Sequence, residues 1–130
     1  DEASFSGKHI QFESSWAWPK PTTKPHPPIL MGGAAGPKTA AHIAEFCDGW
    51  MPLGGMYDFE GGMKNVADAC NAIGRDPSSL QISVFYGMGC PDADTIKKHA
   101  DQGVKRVICA LPPQPADAAL PMLDQYAKNI

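Results

Sequence analysis

The sequence predicts an α/β protein in which a short strand and a helix alternate about four times over residues 29–130. Three observations carry that expectation. Apolar runs of strand length recur at Ile29-Leu30-Met31, from Gly49 to Leu53, from Leu80 to Gly87 and within Val104 to Leu111. Each run is followed by apolar residues at helical spacing. The Gly and Pro residues, thirteen of each, fall mainly between these stretches, where turns belong.

Residues 1–28 stand apart. Phe5, Ile10 and Phe12 alternate around Gly7-Lys8, the pattern of a small β-hairpin. An isolated hairpin is marginal, so this one is expected to lie on another surface. Residues 16–28, Trp-Ala-Trp-Pro-Lys-Pro-Thr-Thr-Lys-Pro-His-Pro-Pro, must run extended, because each Pro fixes its own φ and biases its predecessor away from helix. A PxxP ligand is one reading. A rigid strap with Trp16 and Trp18 packed on a neighbouring surface is the favoured one.

The first strand, Ile29 to Met31, is expected to be buried and to end at Gly32-Gly33. The first helix runs from Pro37 to Cys47, with Ala40, Ile43, Ala44 and Cys47 on one face. A second strand spans Gly49 to Leu53. After a Gly-rich loop, a helix is expected from about Gly62 to Ile73, with Met63, Val66, Ala67 and Cys70 inward. Gly74-Arg75-Asp76-Pro77 stops it. Leu80 to Gly87 is rich in β-formers. The third helix, Asp92 to Gln102, ends at Gly103. Arg106 to Leu111 is the fourth strand. The last helix, Ala116 to Asn129, carries Leu120, Leu123, Tyr126 and Ala127 on one side and Pro121 near its first turn. This order implies parallel strands with right-handed crossovers. An open doubly wound sheet and part of a (β/α)8 barrel both satisfy it.

Composition excludes several function classes. A net charge of −3 and scattered short basic pairs do not fit nucleic acid as a partner. No apolar run reaches the roughly 18 residues that span a bilayer, and no signal peptide is expected. Cys47, Cys70, Cys90 and Cys109 form no Cys-x-x-Cys and no zinc spacing. Reduced thiols in the cytoplasm are expected, with Cys90, beside Gly89 and Pro91, the most reactive.

The strongest chemical signal is Ile29-Leu-Met-Gly-Gly-Ala-Ala-Gly-Pro-Lys-Thr39. Bare glycines let an anion approach, and a helix N-terminus offers unpaired N–H groups and a positive dipole. Thr39 can add a hydroxyl and Lys38 a charge. The same glycines would also serve a tight βα turn that holds no ligand, and the spacing leaves both readings open. It is neither Gly-x-Gly-x-x-Gly nor a P-loop. Trp50, in Asp48-Gly49-Trp50, fits a core or interface role better than a cofactor cleft. His9, His26, His42 and His99 show no catalytic or metal spacing. Asp58, Glu60, Asp76 and Asp92 fall in loops or caps. No residue is named as a catalytic base.

Trp18-Pro-Lys-Pro, then Lys24-Pro-His-Pro-Pro-Ile-Leu-Met-Gly-Gly and Asp48-Gly-Trp-Met-Pro, resemble the luciferase-like monooxygenase superfamily, especially members using the deazaflavin coenzyme F-420. Gly74-Arg-Asp-Pro, Gly103-Val-Lys-Arg-Val and Leu111-Pro-Pro also look like that family. The resemblance implies a (β/α)8 TIM barrel of which this chain supplies the C-terminal half, about four βα units, preceded by the hairpin and Pro-rich strap as an insertion. It implies one domain, an oxidoreductase of the monooxygenase or F-420-dependent reductase kind, and F-420 or FMN as cofactor beside a small-molecule substrate. The cofactor's phosphate-bearing tail maps onto Gly32, Gly33, Ala34, Ala35, Gly36 and Thr39. A full barrel needs about 250 residues, and the half that carries most ring contacts is not in this chain. Its two open sheet edges would pair with another chain, so a homodimer is expected. The alternatives are a non-catalytic half-barrel acting as an assembly or small-molecule-binding module, and an independent open α/β domain.

Overall fold

The computed structural model describes residues 2–129. A hairpin comes first: β1 (Glu2–Ser6) pairs antiparallel with β2 (Gln11–Trp16), and the Phe5 and Phe12 rings stack at 6.4 Å. The expected turn at Gly7 is present. The expected cover is not. Every residue from 2 to 29 is exposed, and Trp16 and Trp18 stand 77% and 56% open. The strap is not extended throughout as expected: the chain bends at Pro19, from Thr22 to Pro25 and at Pro27, and its aromatic surface finds no partner among the described residues.

The body is four strands and four helices in strict alternation. These are β3 (Leu30–Gly32), α1 (Pro37–Phe46), β4 (Gly49–Met51), α2 (Phe59–Ala72), β5 (Gln81–Tyr86), α3 (Ala93–Asp101), β6 (Arg106–Cys109) and α4 (Ala116–Ala127). The strands pair in parallel in the order β3-β4-β5-β6. Spatial order follows chain order, without the reversal of a doubly wound sheet. With right-handed crossovers, this places successive helices along one face. The sheet is compatible with part of an α/β barrel.

The core lies between that face and helices α1 and α2. Ile43, Ala44, Cys47, Trp50, Val66, Cys70 and Ile82 are all buried. Alternation along the strands directs Trp50, Ile82 and Val84 to the helices. Leu30, Met51, Gln81 and Phe85 lie on the other face and are half-buried, while Ser83 between the last two is fully buried. β3, expected to be buried, is an edge strand with half-buried residues, because it has one strand neighbour.

Helix ends follow local chemistry. Helix α2 begins three residues before the expected Gly62, because the Asp58 carboxylate accepts the Gly61 N–H at 2.9 Å and caps it. Asp92 caps α3 by accepting the Thr95 N–H, and hydrogen bonds from the Thr95 side chain and then its amide hold the carboxyl below the usual range. The last helix departs from expectation at its packing face. Ala119, Met122 and Tyr126 are half-buried, while Leu120 and Leu123 are 58% and 45% exposed. It is apolar on both sides, so periodicity alone could not select the inner one.

The Gly-Arg-Asp-Pro segment holds two helices together. Arg75 donates to the Ala44 carbonyl at 2.9 Å and to Ile43 at 3.4 Å, satisfying the C-terminus of α1 from the turn after α2. Charge-assisted bonds to helix-end carbonyls each contribute about 1–2 kcal/mol. Arg75→Ala is therefore expected to lower stability by about 2 kcal/mol, measured as a reduced urea midpoint with unchanged slope.

Candidate functional site

Parallel strands deliver their loops to one edge of the sheet. The loops at residues 33–36, 52–58, 87–92 and 110–115 therefore share the C-terminal rim. The first is the glycine turn. Gly33 has φ +93°, a conformation that a Cβ disfavours. Trp50 Nε1 donates to the Gly33 carbonyl at 2.8 Å, and Asn65 Nδ2 donates to the Ala35 carbonyl at 2.9 Å. Two carbonyl dipoles are thus pinned by the core and by α2.

The amides of the turn are left available. Gly36 is the N-cap of α1, with extended backbone and no side-chain cap, and Pro37 follows it. The first bonded amide is that of Ala40, which donates to Gly36 O at 2.8 Å. Among the described residues, no acceptor takes the N–H groups of Gly33, Ala34, Ala35, Gly36, Lys38 or Thr39. A Cβ built at Gly33 or Gly36 would meet nothing within 4 Å. Open space and amides without an acceptor coexist at this turn.

Gly32, Gly33, Ala34, Ala35, Gly36 and Thr39 thus lie on one continuous turn. Gly32, Ala34 and Gly36 are exposed, Gly33 and Thr39 half-buried, and Ala35 buried. Lys38 points to solvent. A cleft of about 490 Å³ adjoins the turn, walled by Ala34, Ala35, Gly36, Tyr57, Lys64 and Asn65 among others. Farther along the same rim, a mainly apolar cleft of about 620 Å³ is formed by Gly87, Met88, Gly89, Ala110, Leu111, Pro112, Pro113 and Met122. Trp50 is core, as expected, yet its indole N–H also sets the turn. Asn65 was not expected, although an amide on the semi-buried side of a helix is a signal that could have found it. Asp48 accepts the Ile29 N–H at 2.7 Å, fastening the end of the strap to the body.

His99 also departs from the scattered reading of the histidines. It is 7% exposed, its Nε2 lies 2.9 Å from the Tyr86 hydroxyl, and the Phe59 ring meets it edge-on at 5.1 Å. Its Nδ1 and the Gln102 Oε1 have no hydrogen-bond partner among the described residues. Burial holds its pKa below the usual 6.5. An unfolded chain takes up the proton near 6.5 and the folded one does not. The stability this neutral His confers is therefore fully present above about pH 6.5 and lost as pH falls from there through the lower folded pKa. Thermal melts are expected to drop below that pH, and His99→Gln is expected to flatten the drop. Asp76 and Asp92, both held below the usual carboxyl range of 3.8 by hydrogen bonds, lose their contribution only at lower pH.

Among the described residues, no group of three potential ligands could hold a metal ion, and no helix is long and apolar enough to cross a membrane. The family model described as luciferase-like monooxygenase matches residues 1–111. Uncharacterized proteins of Mycobacterium bovis and of two Mycobacterium tuberculosis strains are each 33% identical over 132 residues, covering 100% of this chain and 45% of their own length. The chain therefore spans less than half of these relatives. With the match running from the hairpin through β6, the chain belongs to the luciferase-like monooxygenase family.

Proposed function

We propose that this chain is the C-terminal half of a luciferase-like barrel that binds the phosphate-bearing tail of FMN or a deazaflavin coenzyme at the turn from Gly32 to Gly36, with Thr39. The observation that carries this reading is the turn itself: its carbonyls are tied by Trp50 and Asn65, and its amides have no acceptor. Those residues fit a phosphate monoester or diester. The flat ring would lie toward the apolar rim formed by Met88, Leu111 and Pro112. The bound coenzyme supplies the hydride or oxygen chemistry. The chain's own residues bind and orient the tail and exclude water from one wall.

The half-covered second face of the sheet supports completion by another chain, and we place a second copy there. Light scattering at micromolar concentration checks it: a dimer is expected, and a stable monomer contradicts it. All four cysteines are unbridged, which supports a reducing compartment such as the cytoplasm.

A fluorescence titration tests coenzyme binding. FMN and F-420 are expected to bind in the micromolar range, and riboflavin, which lacks the phosphate, at least about tenfold more weakly, roughly 1.4 kcal/mol. Equal affinity for FMN and riboflavin would remove the phosphate from the reading. The non-catalytic alternative predicts no binding of either coenzyme.

A further inference from the structure

Two cysteines that the coenzyme reading does not use line one cleft at the rim of the sheet. Cys109 ends β6, opposite Tyr86 of β5 in the parallel register, and the Ala110 N–H donates to Tyr86 O at 2.8 Å. The chain leaves β5 through Gly87 and Met88 and turns at Gly89, whose φ is +97°. Beyond that turn, Cys90 lines the same cleft as residues of β6. Both cysteines line the same cleft of about 240 Å³, and both are half-buried, so solvent reaches them. Asn129 Nδ2 holds the next residue in place through the Pro91 carbonyl at 2.8 Å. The other two cysteines, Cys47 and Cys70, are fully buried in the core and separate from this pair.

We propose that Cys90 and Cys109 form a peroxide-oxidisable dithiol, which closes to a disulfide across the ends of β5 and β6. Burial and the neighbouring Cys90 thiol push the Cys109 thiol up to about 11, so it keeps its proton at neutral pH. The first attack therefore falls to Cys90. Its sulfur takes one oxygen of a hydroperoxide as the O–O bond breaks, giving a sulfenic acid and, for hydrogen peroxide, water. The Cys109 sulfur then displaces the hydroxyl from that sulfenic acid, its proton leaving with the hydroxyl as a second water. The two thiols lose two electrons and the peroxide gains them. The bridge ties the loop carrying Met88 and Gly89 to the segment beginning at Ala110, two walls of the apolar cleft on the rim. Oxidation thus fixes the width of that cleft. The pair stands independently of the phosphate turn on β3, and its test needs no coenzyme.

The experiment exposes the full chain to a small excess of hydrogen peroxide, alkylates it unfolded without reduction, and digests it with trypsin. Cleavage after Arg75, Lys97, Arg106 and Lys128 puts Cys90 and Cys109 on separate peptides, 76–97 and 107–128. The expected product is those two peptides joined and two hydrogens lighter than their sum, with Cys47 and Cys70 alkylated. In Cys109→Ser the bridge is expected to vanish and a sulfenic acid to accumulate at Cys90, trapped by dimedone. In Cys90→Ser, Cys109 is expected to remain a thiol. The proposal is overturned if wild-type chain treated this way carries Cys109 fully alkylated, or if Cys90 proceeds to sulfinic acid without bridging.

Discussion

Gly33→Asp is expected to weaken binding of FMN or F-420 by about 100-fold, roughly 2.7 kcal/mol, while leaving the fold intact. Two effects add. The backbone at Gly33 sits at φ +93°, where any Cβ costs about 1–2 kcal/mol. The new carboxylate also stands where the phosphate is placed, and like charges a few Å apart near a protein surface repel by about 1–4 kcal/mol. Gly33→Ala separates the two. It carries the backbone strain without the charge, and nothing lies within 4 Å of its methyl. Alanine is expected to lower the melting temperature as much as aspartate does but to retain most of the binding. The loss in Gly33→Asp should shrink at high salt, because an exposed repulsion is screened.

Trp50→Ala has the largest expected effect on stability, about 3–5 kcal/mol. Trp50 is fully buried, stacks on Phe59 at 5.7 Å and 8°, and packs so closely on α2 that a Cβ at Gly62 would come within 2.4 Å of its ring. Truncation leaves a cavity between β4 and α2 and releases the Gly33 carbonyl. A domain of this size has a total stability of about 5–15 kcal/mol, so the variant should lose between about a fifth and all of it. Urea unfolding followed by circular dichroism reads this. Trp50→Phe isolates the second role. It keeps an aromatic ring against Phe59 but has no N–H for Gly33, a bond that contributes about 1 kcal/mol. FMN affinity should fall in this variant while riboflavin affinity stays unchanged.

Local chemistry made much of the fold legible in the sequence. Gly74 and Gly103 both adopt positive φ just past α2 and α3, and Asp92 caps the helix it precedes. Ala40, Ile43, Ala44 and Cys47 are buried on the expected face of α1. What was missed depends on partners rather than on pattern. Phe59, Glu60 and Gly61 read as loop because the glycines at 61 and 62 are poor helix formers. Tertiary packing overrides that propensity, since only glycine admits the Trp50 ring at Gly62. Trp16 and Trp18 carry apolar surface that nothing among the described residues covers, so composition alone pointed to burial that the chain does not supply. The glycine turn was legible as a motif. Its donors from Trp50 and Asn65 were not, because they lie 17 and 30 residues away from the carbonyls they hold.

The most direct measurement is an amide-resolved NMR titration of the isotope-labelled chain with FMN and, separately, with riboflavin. If the turn at the end of β3 holds a phosphate, FMN shifts the amides of Gly33, Ala34, Ala35, Gly36, Lys38 and Thr39 most strongly, and riboflavin leaves them in place. Shifts of equal size with both ligands, or FMN shifts that avoid these six amides, would contradict it.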